Sequence, residues 1–336
     1  MKRVTRPSWK AFVTVTVVVL ATLGGAGIAW ALGVWTPLAP LPDPPGSPSP
    51  PTEGMAVSGV GEIVVAAYGF SPTSGDTNVT RLYDISTDTW SLGTPAPLPV
   101  RSEMAYGDTS HGGNTYAIGG RPTVVVGDDL NRYNVASDTW TSLAPMPTKR
   151  AASAVAVVGN ALYVMGGRTS TAPCSGGYLS VVERYDIDTD IWTTLAPLPS
   201  SRSDFAATSV GGNGGKIYVF GGCNAANAQM PDVDVYDVQT NAWSTAPANM
   251  PLARAVHIAG QKGNNVYVFG GRSAPGVVSG INQVYNVVKD AWSTDAPMGV
   301  ARGETGSYSH GGRIYVPGGA LPQNGISSAA NEVFKP

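Results

Sequence analysis

Five arginines recur at one place in this chain. Arg101, Arg150, Arg202, Arg254 and Arg302 each follow a proline-rich phrase and open an apolar run. A guanidinium offers a planar fork of donors to carboxylates and phosphates, so five arginines spaced in this way could form an anion-binding ring. Three of them have an acid two residues on: Arg101/Glu103, Arg202/Asp204 and Arg302/Glu304. On an extended strand those two positions share a face, so each pair could neutralise itself or its neighbours. A structural ring of salt bridges is therefore the first reading of these residues, and a dedicated anion site the second. If the chain is an enzyme, Arg202 with Asp204 or Arg302 with Glu304 is the best source of an acid and a base for proton transfer.

Other chemistry is thinly supplied. His111 and His310 sit in His-Gly-Gly turns and His257 lies inside an apolar run, so the three imidazoles are too dispersed for a metal centre. No metal and no cofactor is expected. There is no Gly-x-Ser-x-Gly elbow, phosphate loop or His-Glu-x-x-His helix. Turns such as Asp84-Ile-Ser-Thr-Asp88 and Asp186-Ile-Asp-Thr-Asp190 lack the glycine and distal glutamate of a calcium loop, and read as turns capped by their own aspartates. One sequon, Asn78-Val-Thr80, would matter only in a eukaryotic secretory pathway.

The elements that must position these residues are repeats. Ala161-Leu-Tyr-Val-Met-Gly166-Gly167 is written again as Thr115-Tyr-Ala-Ile-Gly-Gly120, Ile217-Tyr-Val-Phe-Gly-Gly222, Val266-Tyr-Val-Phe-Gly-Gly271 and Ile314-Tyr-Val-Pro-Gly-Gly319, with a degraded copy ending at Tyr68-Gly69. Each is a buried strand stopped where the backbone needs positive φ or has no room for a side chain. A tyrosine follows, with a tryptophan seven positions later: Tyr83/Trp90, Tyr133/Trp140, Tyr185/Trp192, Tyr236/Trp243 and Tyr285/Trp292. From Trp35 onward, successive tryptophans are 55, 50, 52, 51 and 49 residues apart.

Glycine doublet, tyrosine, tryptophan and arginine, in this order and at this period, resemble the kelch repeat. The resemblance implies an all-β, six-bladed β-propeller of four-stranded antiparallel blades. In kelch substrate adaptors, arginines at this kind of position help to bind acidic peptides, which makes Arg101, Arg150, Arg202, Arg254 and Arg302 the ligand-binding candidates by resemblance. Those adaptors carry further interaction domains before the propeller, whereas here the propeller fills the mature chain, so that role is set aside. Exported six-bladed kelch sugar epimerases are the enzymatic alternative, with Arg202, Asp204, Arg302 and Glu304 acting on anomers of an acidic sugar. Kelch-type copper radical oxidases need clustered histidines with a tyrosine and a cysteine, a set not assembled here. The leading expectation is a non-catalytic binding propeller presenting its loop-rich rim to a protein or carbohydrate.

The termini complete the picture. Lys2, Arg3, Arg6 and Lys10 precede an uncharged, mostly apolar run from Ala11 to Leu32, the pattern of an export signal or membrane anchor over residues 1–31. Ala29-Trp30-Ala31 suits signal peptidase and favours cleavage, so an extracytoplasmic protein is expected, secreted or at the cell surface. Trp35-Thr-Pro-Leu-Ala-Pro-Leu-Pro42 is the tryptophan phrase without its tyrosine strand, and Asn331-Glu-Val-Phe-Lys-Pro336 is a tyrosine strand without its tryptophan. The N-terminal phrase should therefore supply the outer strand of the last blade and close a single propeller over 32–336, with 43–52 a stiff polyproline-like connector. Cys174 and Cys223 follow the glycine doublets of adjacent repeats, a placement that in an exported chain suggests a disulfide between blades. With 42 Gly, 27 Pro, 13% charged residues and a net charge of −2, the chain is turn-rich and lacks the basic excess that nucleic acid or anionic lipid would call for. A monomer is expected, in contact with membrane only through an uncleaved N-terminal segment.

Overall fold

Runs such as Ala161-Leu-Tyr-Val-Met165 send side chains to both faces of a sheet and are apolar on both, which is stable only where neighbours cover both faces. The computed structural model meets this requirement with six small sheets standing side by side around an axis. The structure describes residues 32–42 and 53–336, apart from 73, 123–124, 172–173, 211–214, 247, 275–276 and 322–325. The leader at 1–31 and the connector at 43–52 lie outside the described residues.

Five of the six blades run from the axis outward as four antiparallel strands. Blade 1 is Ala56–Val60, Ile63–Ala67, Thr80–Asp84 and Thr89–Gly93. Blade 3 is Ala154–Val158, Ala161–Met165, Val182–Asp186 and Ile191–Leu195. Blade 4 is Ala206–Val210, Lys216–Phe220, Val233–Asp237 and Ala242–Thr245. Blade 5 is Ile258–Lys262, Asn265–Phe269, Asn282–Asn286 and Ala291–Asp295. Blade 2 keeps Asn114–Ile118, Leu130–Asn134 and Thr139–Leu143, but its inner position is filled by a less regular segment. There the Thr109 hydroxyl donates to the Tyr116 carbonyl and accepts from the Tyr116 amide, doing the work of a backbone ladder. Gly107 lets this segment lean toward blade 3, where the Tyr106 amide donates to Ser153 O and the Val155 amide to Tyr106 O.

Blade 6 joins the two ends of the chain. Tyr308–His310, Arg313–Pro317 and Asn331–Lys335 are followed outward by Val34–Leu38, with Trp35 opposite Phe334. Gly33 lies against the Phe334 ring, where a Cβ would stand 2.4 Å from ring carbon.

The core is divided among the interfaces between blades. Six apolar clusters occur, one at each blade–blade contact, including that between blades 6 and 1 built on Val57, Tyr83, Tyr308 and Tyr315. The tyrosine and tryptophan of each repeat are cross-strand partners with ring centroids 4.9 to 5.1 Å apart. Both also reach across blades. The tyrosine hydroxyls of Tyr83, Tyr133, Tyr185, Tyr236 and Tyr285 donate to Asp88, Asp138, Asp190, Asn241 and Asp290. The first four of those turn residues also accept an amide from the preceding blade, at Ala39, Thr94, Ala144 and Ala196. Each of the six described tryptophans donates Nε1–H to a carbonyl of the preceding blade, from Trp35 to Ala296 through Trp292 to Ala248. The repeat spacing thus encodes the stitching between blades.

Candidate functional site

The five recurrent arginines do not form an open anion-binding ring; they lie inside the blades. Arg101, Arg150, Arg254 and Arg302 are 0% exposed and Arg202 is 1% exposed. Each guanidinium donates to the carbonyl of the first glycine in its own blade's doublet: Gly119, Gly166, Gly221, Gly270 and Gly318. Each also reaches a third-strand or nearby partner: Asp129, Glu183, Asp234, Gln283 and Glu332. The second glycine amide then donates to the backbone carbonyl of the next blade's arginine, from Gly69 to Arg101 and from Gly120, Gly167, Gly222 and Gly271 to Arg150, Arg202, Arg254 and Arg302. Gly166 and Gly167 have φ of +53° and +98°, and a Cβ on either would fall within 2.8 Å of a backbone oxygen. Doublet and arginine are therefore two halves of one clamp. Blade 1 inverts it: Arg81 occupies the third-strand position held elsewhere by Asn131, Glu183, Asp234, Gln283 and Glu332, is fully buried, and turns Nε toward the Pro42 carbonyl at 3.4 Å.

The acids two residues after the arginines do not pair with them. Glu103, Asp204 and Glu304 adopt positive φ of 52°, 59° and 56°, as do Gly54, Ala152 and Val256 at the equivalent places. This turn takes the acid off the arginine's face, which is why the i, i+2 rule for an extended strand does not hold here. Its result is a belt of backbone hydrogen bonds around the axis, 2.6 to 3.2 Å long: Glu304 N to Val256 O, Val256 N to Asp204 O, Asp204 N to Ala152 O, Ala152 N to Glu103 O, Met104 N to Gly54 O and Gly54 N to Glu304 O.

The acid side chains meet a second set of arginines, those directly after the glycine doublets. Arg121 Nε stands 3.1 Å from Glu103, Arg168 lies 2.9 Å from Glu103 and 3.2 Å from Asp204, and Arg272 is 2.8 Å from Glu304. Glu53, at the same mouth, accepts from Ser327 Oγ at 3.3 Å. Burial pushes the Glu53, Glu103 and Glu304 carboxyls up, and for Glu304 the nearby Glu53 charge adds to burial and carries it to about 8. Burial works against the charge on Arg168, but Asp204 and Glu103 outweigh it and hold the guanidinium above the usual arginine range.

A carboxyl that keeps its proton in the fold and loses it in the unfolded chain stabilises the fold below its ordinary value of 4.5. That contribution is lost as pH rises to about 8. The melting temperature should therefore fall between about pH 4.5 and 8, and Glu304→Gln should flatten that fall. Thermal denaturation followed by circular dichroism across this range checks it; an unchanged slope in the variant would contradict the assignment.

Residues 151–334 match the family model described as the KLHDC2/KLHL20/DRC7 Kelch-repeats domain. The chain belongs to the kelch-repeat family. Among curated kelch relatives, it is 29% identical over 220 residues to Kelch-like protein terF of Aspergillus terreus, covering 61% of this chain and 46% of that protein. It is 34% identical over 155 residues to Kelch-like protein 25 of Xenopus tropicalis, covering 45% of this chain and 25% of that one. The chain thus spans less than half the length of these relatives. The solved structure of YjhT superposes with a TM-score of 0.69 at 16% identity, over 84% of this chain and 95% of that one, a likeness of fold.

Within this kelch propeller, Cys174 and Cys223 are joined as a disulfide with Cα atoms 5.4 Å apart. The bond links the post-doublet loops of blades 3 and 4 beside the acid cluster, where the Cys174 amide points at Asp204 Oδ2 at 3.4 Å. Tyr106 lies buried at the axis, its hydroxyl pushed up by burial and by the charges of Glu304, Asp204 and Glu103. His257 is also buried, and burial with the nearby Arg254 pushes it down to about 3, so it stays neutral. His310 lies at the other mouth against Glu62 at 3.0 Å. Among the described residues, no three His, Cys, Asp or Glu side chains gather as a metal site. The kelch pattern pointed to the first set of arginines. Arg121, Arg168 and Arg272 were missed, although the signal was in the repeat itself, as the residue after Gly-Gly in three of six copies.

Proposed function

We propose that this chain is an exported kelch propeller that binds a protein ligand, without catalysis, through the loops of the rim where the arginines enter the blades. The observation that carries this reading is the distribution of apolar side chains the core does not use. Among the described residues eleven large apolar side chains are at least 36% exposed; Val34, Leu92 and Ile191 lie on outer strands and Val288 in a turn at the opposite rim. Six others, Leu98, Val125, Val277, Ile281, Val300 and Ile326, lie in the segments between second and third strands or between outer and inner strands. In an up-and-down blade those two kinds of segment end at the same rim. Apolar side chains gathered along one rim are what a protein partner buries.

Absence of catalysis rests on how the candidate acid–base pairs are used. Arg202 and Arg302 are enclosed by Asp234 and Glu332, while Asp204 and Glu304 are held by Arg168 and Arg272. All four are buried, and each has a charged partner within the protein. Export rests on the basic head and apolar run before the propeller, and on a disulfide of the kind that oxidising compartments sustain.

A peptide and glycan array probed with the purified chain tests the proposal. Peptides should be retained, and a triple change Val125→Asp, Ile281→Asp and Ile326→Asp should weaken retention by about tenfold or more with the melting temperature unchanged. Retention of glycans alone, or indifference to the triple change, would overturn the reading. So would catalysed exchange of acidic-sugar anomers in nuclear magnetic resonance.

A further inference from the structure

The face opposite the loop rim carries the turns between first and second strands and between third and fourth strands, and its charge is unevenly shared. In blades 1 to 3 those turns are acidic, with Glu62, Asp84, Asp88, Asp138, Asp186 and Asp190 and no lysine or arginine. In blades 5 and 6 the same ends carry Lys262, Lys289, Arg313 and Lys335, all four exposed. Past Leu32 the chain has five lysines, so three of the five fall in this one sector. The fold gathers them from turns far apart in sequence. The Val287 amide donates to Asn264 O at 3.0 Å, which holds the turn of Lys289 to that of Lys262. The Lys262 side chain crosses to blade 6, where Nζ donates to the Pro336 backbone oxygen at 3.1 Å. One register step beyond the pair Ile314 and Phe334 stand Arg313 and Lys335, and Lys335 is opposite Val34. Among the described residues none of the four pairs with a carboxylate side chain. The acids that border the sector are engaged elsewhere: Asp290 by the Tyr285 hydroxyl, Asp295 by the Gly33 amide and Glu62 by His310. Leu32, Val34 and Val288, next to the basic residues, are 47%, 54% and 73% exposed.

We propose that this sector docks on the anionic headgroups of a lipid bilayer, and that the apolar run ending at Leu32 stays in the same bilayer as its anchor. Two independent observations meet here. The charge is complementary, since lysines and arginines near an anionic surface are attracted to it within a Debye length, about 10 Å at moderate salt. The chain also enters the propeller at this edge. Gly33 alone separates Leu32 from the strand at Val34, so a bilayer that holds the run has to lie beside Lys335 and its basic neighbours. An apolar anchor and a basic patch are the paired signals that stable attachment to a membrane calls for. The net charge of −2 conceals the patch because acids collect on blades 1 to 3 of the same face. Docked in this way, the propeller turns its loop rim away from the lipid. The proposal does not depend on protein binding at that rim, which lies on the other face.

Lysine acetylation read by mass spectrometry, on the full chain in nanodiscs, tests this. Phosphatidylglycerol nanodiscs should slow acetylation of Lys262, Lys289 and Lys335 by about threefold or more relative to phosphatidylcholine nanodiscs. Lys149, exposed on the loop rim, should react alike in both. Salt at about 1 M shortens the Debye length to about 3 Å and should erase the difference. Arg313→Glu combined with Lys335→Glu should remove most of the protection at Lys262 and Lys289 with the melting temperature unchanged. The salt series on the unaltered chain decides the matter even if that variant fails to fold. Equal rates on the two lipids, slowing at Lys149 as large as at Lys262, or slowing that persists in high salt would each overturn the proposal. Soluble polyglutamate that protects the three lysines as well as phosphatidylglycerol does would assign the sector to an acidic protein and overturn it too.

Discussion

Replacing Trp35 with alanine should destabilise the fold by about 3 kcal/mol and lower the melting temperature by roughly 5 °C. Trp35 sits on the outer strand that joins the beginning of the propeller to its end, packed 5.0 Å from the Phe334 ring and 5.2 Å from Phe269 by ring centroids. Its Nε1 donates to Ala296 O at 2.9 Å. Alanine would remove both aromatic contacts and the cross-blade hydrogen bond. The strand it leaves behind, Val34–Leu38, is otherwise half-exposed and held by one neighbour only. Trp35→Phe keeps an aromatic ring and loses the donor, so it should cost about 1 kcal/mol. Circular dichroism melts of both variants check the order. A Trp35→Ala protein that melts with the parent would mean that the outer strand contributes nothing to closure.

Arg150→Ala should be at least as damaging, at about 3–5 kcal/mol. Arg150 and Glu183 are both buried, with nitrogen and oxygen 2.5 Å apart, and the same guanidinium serves the Val181 carbonyl at 3.1 Å. Truncation strands the glutamate in a dry interior and removes one of the two donors to that carbonyl, which keeps the Gly166 amide. The remedy distinguishes this cause from lost packing. In Arg150→Met with Glu183→Leu no charge remains to be stranded, so the double variant should recover much of the loss, as replacement of a buried ion pair by apolar side chains often does. Equilibrium urea unfolding of the single and double variants is the measurement. A double variant as unstable as Arg150→Ala would shift the explanation to the carbonyls the arginine holds.

Most of the fold was legible because the repeat is a written record of contacts between blades. The tyrosine donates to the turn residue five on, and the tryptophan two beyond that donates to a carbonyl of the preceding blade, so their spacing cannot drift without loss. The complementary fragments at Trp35 and Phe334 were readable for the same reason. What the sequence hid was direction. Arg202 and Asp204 look like neighbours on one strand face, but positive φ at Asp204 sends the arginine into blade 4 and the acid toward Arg168. Nothing in the residue types announces that turn, because glycine marks it only once, at Gly54, and a β-branched valine occupies it at Val256. Likewise the irregular inner segment of blade 2 depends on one hydroxyl, that of Thr109, which a propensity reading treats as any strand threonine.

Native-state hydrogen exchange on the full chain tests the circular closure most directly. If the first and last segments share one sheet, the hydrogen-bonded amides of Val34–Leu38 and Asn331–Lys335 should exchange together, with protection near that of Arg313–Pro317. Exchange of Val34–Leu38 at the rate of a free peptide, while Arg313–Pro317 stays protected, would contradict it.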